Sequence, residues 1–97
     1  MSLGDISSDA NSEPGLVLFK NVEFKIFAII HDNSEPIRIE TKCDRKLAKL
    51  LREKYETVLP SKTMESATWN EIICTGQLEE GELNDLIRLS YNLVTNL

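Results

Sequence analysis

The stretch 38–55, RIETKCDRKLAKLLREKY, constrains the fold more than any other part of this chain. Its first residues alternate, with Arg38, Glu40 and Lys42 opposite Ile39 and Thr41, which is the period of a half-buried strand. The period then changes. Asp44 stands at a helix N-cap position, and Leu47, Leu50, Leu51 and Tyr55 fall on one face of the helix that follows, over 45–56. One sheet element and one helix therefore meet at Cys43.

With 97 residues the chain forms one domain, small enough to bury only roughly 60 to 65% of the surface its unfolded form exposes. A hydrophobic share of 41% beside 28% charged residues is that of a chain that folds. The net charge of -5 argues against a surface that attracts nucleic acid or anionic lipid everywhere. Any such site must be local. No apolar run approaches the ~20 residues that span a bilayer, and the start lacks the layout of a signal peptide, so a cytoplasmic location is expected. Cys43 and Cys74 have no second ligand pair, which excludes a usual structural zinc site; whether they pair with each other stays open, and reduced buried thiols are the expectation.

Residues 1–15, MSLGDISSDANSEPG, read as a flexible polar leader, and 16–97 as the folded domain. Two strands, 16–20 and 24–31, follow in hairpin order. Strict alternation in the second puts Phe24, Ile26, Ala28 and Ile30 on one side and Lys25, Phe27, Ile29 and His31 on the other. Both sides are then apolar, which fits a strand covered on both faces or a face left for a partner. A turn at 32–36 leads to the strand 37–42. After the helix, Pro60 ends the segment, and short strands are expected at 62–65 and 69–75, joined by Ser66, Ala67 and Thr68. The second helix, 78–97, begins with Glu79, Glu80 and Glu82, which suit the positive end of its dipole. Leu83, Leu86, Ile87, Ser90, Val94 and Leu97 recur along it at the spacing of a buried stripe. The order βββαββα implies an α+β two-layer sandwich, an antiparallel sheet of about five strands with two helices on one face.

Catalysis needs convergent polar groups, and the lone His31, beside a turn, reads as solvated. Neither cysteine has a histidine or a Cys-x-x-Cys partner to activate it. The acidic cluster 79–85 lacks the spacing of a calcium loop, and no glycine-rich phosphate loop is present. The chain is therefore read as no enzyme, with no metal and no cofactor. Charge placement is uneven, however. Lys42, Arg45, Lys46, Lys49, Arg52 and Lys54 crowd into the strand-helix unit against only Asp44 and Glu53. That makes a locally positive segment in an acidic protein, although the side opposite a leucine stripe is also where any solvated helix keeps its charges.

The run FKIFAII, the junction TKCDRKLAKLLREKY, the tryptophan strand ending at Gly76 and the closing ELNDLIRLSYNLV together resemble the MmcQ/YjbR family over about 16–97. The resemblance implies a CyaY-like α+β fold and DNA binding through a double-wing arrangement of strands and hairpins. Lys25, Lys42, Trp69, Ser90 and Tyr91 sit where the family pattern is strongest, none with a catalytic role. The chain resembles a short variant in which the helix that usually precedes the first strand is absent or replaced by the polar leader. Phe24 stands for the usual glycine before Lys25, Arg45 for the proline after the aspartate, and a hairpin without Lys or Arg precedes Trp69. Two readings follow. In the first, a DNA-binding module contacts the phosphate backbone in a salt-sensitive way through Lys42, Arg45, Lys46, Lys49, Arg52 and Lys25, with Arg38 and Lys62 as further candidates. In the second, a protein partner or a second copy, giving a homodimer, covers an exposed sheet face containing Phe27 and Ile29.

Overall fold

A computed structural model describes residues 7–9 and 15–95. The strands are β1 (Ser7–Asp9), β2 (Leu16–Lys20), β3 (Ile26–His31), β4 (Arg38–Lys42), β5 (Val58–Pro60) and β6 (Trp69–Ile73). The helices are α1 (Arg45–Lys54) and α2 (Glu80–Thr95). All strand pairings are antiparallel, in the spatial order β1-β2-β3-β4-β6-β5, and both helices pack on one face. The α+β class and the order from β2 onward are those expected. A further edge strand, β1, comes from the stretch read as a leader; the rest of that stretch lies outside the described residues.

Two local chemistries fix the strand-helix junction. The Asp44 carboxylate accepts from the Leu47 amide at 2.9 Å, satisfying one of the donors that every helix start leaves open. The helix that follows buries the expected face in part: Leu47, Leu51 and Tyr55 are half-buried, and Leu50 is the exception. Ala48 is fully buried, Leu51 and Tyr55 pack beside Val58 and Ile72, and Leu50 is 59% exposed. Position 50 lies about 200° around the helix from position 48, so a contact centred on the small Ala48 turns Leu50 to solvent.

The expected strand at 62–65 is also displaced. The pairing segment is Val58–Pro60, and 61–68 forms the connection to β6. Pro60 does not merely end the preceding segment; it closes an edge strand, where its missing N–H removes no ladder bond.

A bulge in the β2–β3 pairing corrects the reading of Phe27. Phe19 pairs with Ala28 but Lys20 pairs with Ile26, so Phe27 is an extra residue. Two consecutive side chains, Phe27 and Ala28, then join one core cluster with Val94 of α2, and the Tyr91 ring meets Phe27 edge-on at 5.1 Å. Ile29 is buried as well, between its register partners Leu18 and Glu40. Neither Phe27 nor Ile29 forms an exposed apolar face, so an oligomerising surface cannot rest on them.

The same place holds the bond that docks α2. The β3–β4 ladder runs from His31↔Arg38 to Ala28↔Thr41, and the next pair in that register is Phe27 and Lys42. There the Ser90 hydroxyl stands between the strands, donating to the Phe27 carbonyl at 2.6 Å and accepting from the Lys42 amide at 2.8 Å. Ser90 is fully buried, so no water replaces it. Ser90→Ala leaves both backbone groups without their partner and should lower unfolding free energy by ~1 to 3 kcal/mol in a urea titration.

Candidate functional site

The antiparallel register decides which charges meet. β3 begins, β4 ends, β6 begins and α1 begins at one end of the sheet, because Ala28 pairs with Thr41 and Lys42 with Trp69. The 21–25 turn and the 61–68 connection lie at that end too. Lys25, Lys42, Arg45, Lys46 and Lys62 are thereby gathered from separate parts of the chain. All are exposed except Lys42, which is half-buried. The opposing carboxylates are Glu23, Asp44 and Glu65. Asp44 is engaged in capping α1, and Glu65 lies 4.0 Å from Arg45 between two exposed side chains, a pair worth little in water. The other end of the sheet carries the 32–37 turn with Asp32 and Glu35, and α2 starts toward it with Glu80 and Glu82. A chain that is negative as a whole is thus polar along its strands.

Of the residues expected to form this surface, Lys25, Lys42, Arg45 and Lys46 lie at the same end of the sheet, and Lys49 lies one turn further along α1, exposed. Arg52 does not belong to it. Its Nε donates to Asn70 Oδ1 at 2.6 Å, and its Nη2 donates to the carbonyls of Ser66 and of Trp69, the latter at 3.2 Å. The guanidinium ties α1 to β6 and to the 61–68 connection. Arg38 sits near the opposite end, bonded to Glu71 at 3.4 Å.

A second polar cluster escaped the sequence. Glu40 is 1% exposed, on the sheet face turned from the helices, directly opposite Glu71. Two like charges so placed repel. His31 and Arg38, paired with each other one step along, each supply a hydrogen-bond donor: His31 Nε2 donates to Glu40 Oε2 at 2.7 Å, and Arg38 to Glu71. His31 is therefore no solvated turn residue. The Ser61 hydroxyl donates to Glu40 Oε1, and Thr63 Oγ1 reaches both Glu40 oxygens at 3.0 Å. Ser61 Oγ in turn accepts from the Thr63 and Met64 amides. Both oxygens of Glu40 are engaged within the fold, so the cluster fastens the 61–64 segment onto the sheet. Among the described residues, no group of His, Cys, Asp and Glu is arranged to hold a metal ion.

Both cysteines are free thiols. A helix start lowers a thiol pKa, but Cys43 is buried, and burial together with the neighbouring Asp44 carboxylate pushes it up to about 11 against the opposing influence of Arg52. Burial wins. The folded protein holds this proton to a higher pH than the unfolded chain.

Comparison with known proteins agrees with this architecture. A family model, YjbR, matches residues 2–93. The protein named Uncharacterized protein YjbR in Escherichia coli strains K12 and O157:H7 is 29% identical over 76 residues, 78% of this chain. This chain spans 64% of the length of those relatives. A Deinococcus radiodurans crystal structure with a DUF419 domain superposes with TM-score 0.91 at 21% identity, covering 97% of this chain and 71% of that one. A Pseudomonas syringae structure superposes with TM-score 0.77 at 22% identity, covering 91% and 86%. At these identities the two structures share the fold.

The Cys43 environment makes a pH prediction. Its stabilisation is complete below the unfolded value of 9.0 and is lost as pH rises toward the folded value of about 11. Urea unfolding across that window should show wild-type stability falling more steeply than that of Cys43→Ala, which has no proton to lose. Parallel slopes would contradict the assignment.

Proposed function

The chain belongs to the YjbR family, and we propose that it is a non-catalytic module binding the phosphate backbone of DNA at the basic end of its sheet. The observation that carries the reading is the register, which brings Lys25, Lys42, Arg45, Lys46 and Lys62 to one end while the acidic residues of the 32–37 turn and of the start of α2 lie toward the other.

Physical chemistry supports a positioning contact. Phosphates attract clustered cations and release condensed counterions on binding, so a positive patch suffices even on a protein of net charge -5. The exposed side of α1 carries Arg45, Lys46 and Lys49, which suit phosphate oxygens as point charges or forks. The proposed contact is with the backbone, with no discrimination among base pairs. Arg52, held within the fold, takes no part.

A salt series with labelled duplex DNA tests this. If about four phosphates are neutralised, affinity should fall ~10²-fold between about 50 and 200 mM salt. Lys25→Glu combined with Lys46→Glu should abolish most of the binding and flatten the salt slope by at least ~1 per lysine. Lys54→Glu, the same charge change at the far end of α1, should leave binding within about twofold. Absence of binding at low salt, or equal loss from all three changes, contradicts the proposal.

A further inference from the structure

Among the described residues, the 21–25 turn holds an aromatic side chain that is not packed against the core. Phe24 has φ +63°, the left-handed region that glycine adopts freely and a bulky residue adopts only under strain. Its side chain is 76% exposed, and that of Val22 is 61% exposed. Burial therefore returns nothing for the strain. Glycine or asparagine would serve the turn better on both counts.

The turn is nevertheless tightly built. Asn21 is buried, and its Oδ1 accepts from the Glu23 amide at 2.9 Å and the Lys25 amide at 3.0 Å. The Asn21 carbonyl accepts from the Phe24 amide at 2.9 Å, and the Lys25 carbonyl accepts from the Asn21 amide at 3.0 Å. Asn21 Nδ2 donates to Thr95 Oγ1 at 3.2 Å, which ties the turn to the end of α2. These bonds hold the backbone in the strained form and point an aromatic ring at solvent. Lys25 is its immediate neighbour, and Lys42, Arg45 and Lys46 share its end of the sheet; Glu23 is the one carboxylate within the turn.

An exposed ring at the cation-bearing end of the sheet, with Lys25 next to it in the chain, matches the two-part chemistry of a nucleic-acid strand, whose phosphates meet the cations while a base stacks on the ring. In a duplex the bases are already stacked, and a ring at a turn tip must first open a step. In a single strand the bases are available. We propose that Phe24 is a stacking platform for an unpaired base, and that the protein therefore prefers single-stranded nucleic acid over duplex. This rests on the phosphate-binding reading and adds to it the form of the ligand.

The test is fluorescence anisotropy at low salt with three labelled ligands: an oligothymidylate of about 15 nucleotides, a duplex of equal length, and an abasic strand with the same number of phosphates. Wild type should bind the oligothymidylate tightest. Phe24→Gly should weaken that binding ~5- to 100-fold, leave the abasic strand unaffected, and not lower the thermal midpoint, since glycine suits the backbone angle. Phe24→Trp should bind like wild type, and Phe24→Leu should stay as weak as Phe24→Gly. Full affinity in Phe24→Leu, no loss in Phe24→Gly, or an abasic strand bound as tightly as oligothymidylate overturns the stacking role. If Lys46→Glu weakens all three ligands while the Phe24 variants change none, the basic end stands and the platform falls. If none of the ligands binds wild type, the phosphate reading fails and takes this inference with it.

Discussion

A single hydroxyl sets the relation between the layers of this domain. Where β3 and β4 would form their next pair, Ser90 bonds both Phe27 and Lys42, so α2 is joined to the sheet by hydrogen bonds as well as by apolar contact. The bulge at Phe27 makes that arrangement serve the core, because it turns Phe27 as well as Ala28 toward Val94 and Tyr91. The neighbouring Asn21 repeats the device, a buried amide side chain tying a turn to the end of the same helix. Backbone groups that a continuous ladder would have paired are instead satisfied by side chains, as buried polar groups must be. The end of the sheet that carries the cations is thus held by polar bonds of defined geometry, the kind of support a preorganised binding surface needs.

Much of this was legible in the chain. The change of period around Cys43 located a strand and a helix, Asp44 announced the cap, and the stripe through Leu83, Ser90 and Val94 marked α2. Three features were not legible, each for a definite reason. A three-residue edge strand ending in proline carries almost no pattern, so Val58–Pro60 reads only as the close of the segment after the helix, with the strand expected at 62–65. A bulge shifts alternation by one residue without leaving a mark in composition, so Phe27 was assigned to the wrong side of β3. Burial centred on Ala48 could not be told from a face centred on the leucines, and this one error both hid the exposure of Leu50 and made Arg52, one turn beyond Ala48, look solvated.

The candidate site was half visible. Sequence proximity shows the cations of 42–49 and the resemblance names Lys25, Arg38 and Lys62 beside them, but only the register separates Lys25 and Lys62, at their end of the sheet, from Arg38 at the other. Glu40 and His31 gave no signal, since their meaning depends on Glu71, Ser61 and Thr63 arriving from distant parts of the chain. That buried cluster also accounts for the 61–68 connection, which contributes Lys62 to the basic end and is pinned by Glu40 on one side and Arg52 on the other. Two sets of polar groups are therefore separate here: those of the Glu40 cluster and Arg52 are engaged within the fold, while Lys25, Arg45, Lys46 and Lys62 are exposed at one end of it.

The most direct test of that polarity is a residue-resolved map. Amide chemical shifts recorded during titration with a short oligonucleotide should move at 21–25, 42–49 and 61–65, and stay fixed at 32–37 and 78–82. Perturbations concentrated at the acidic end, or spread evenly over both, would contradict the assignment of a binding surface to the basic end of the sheet.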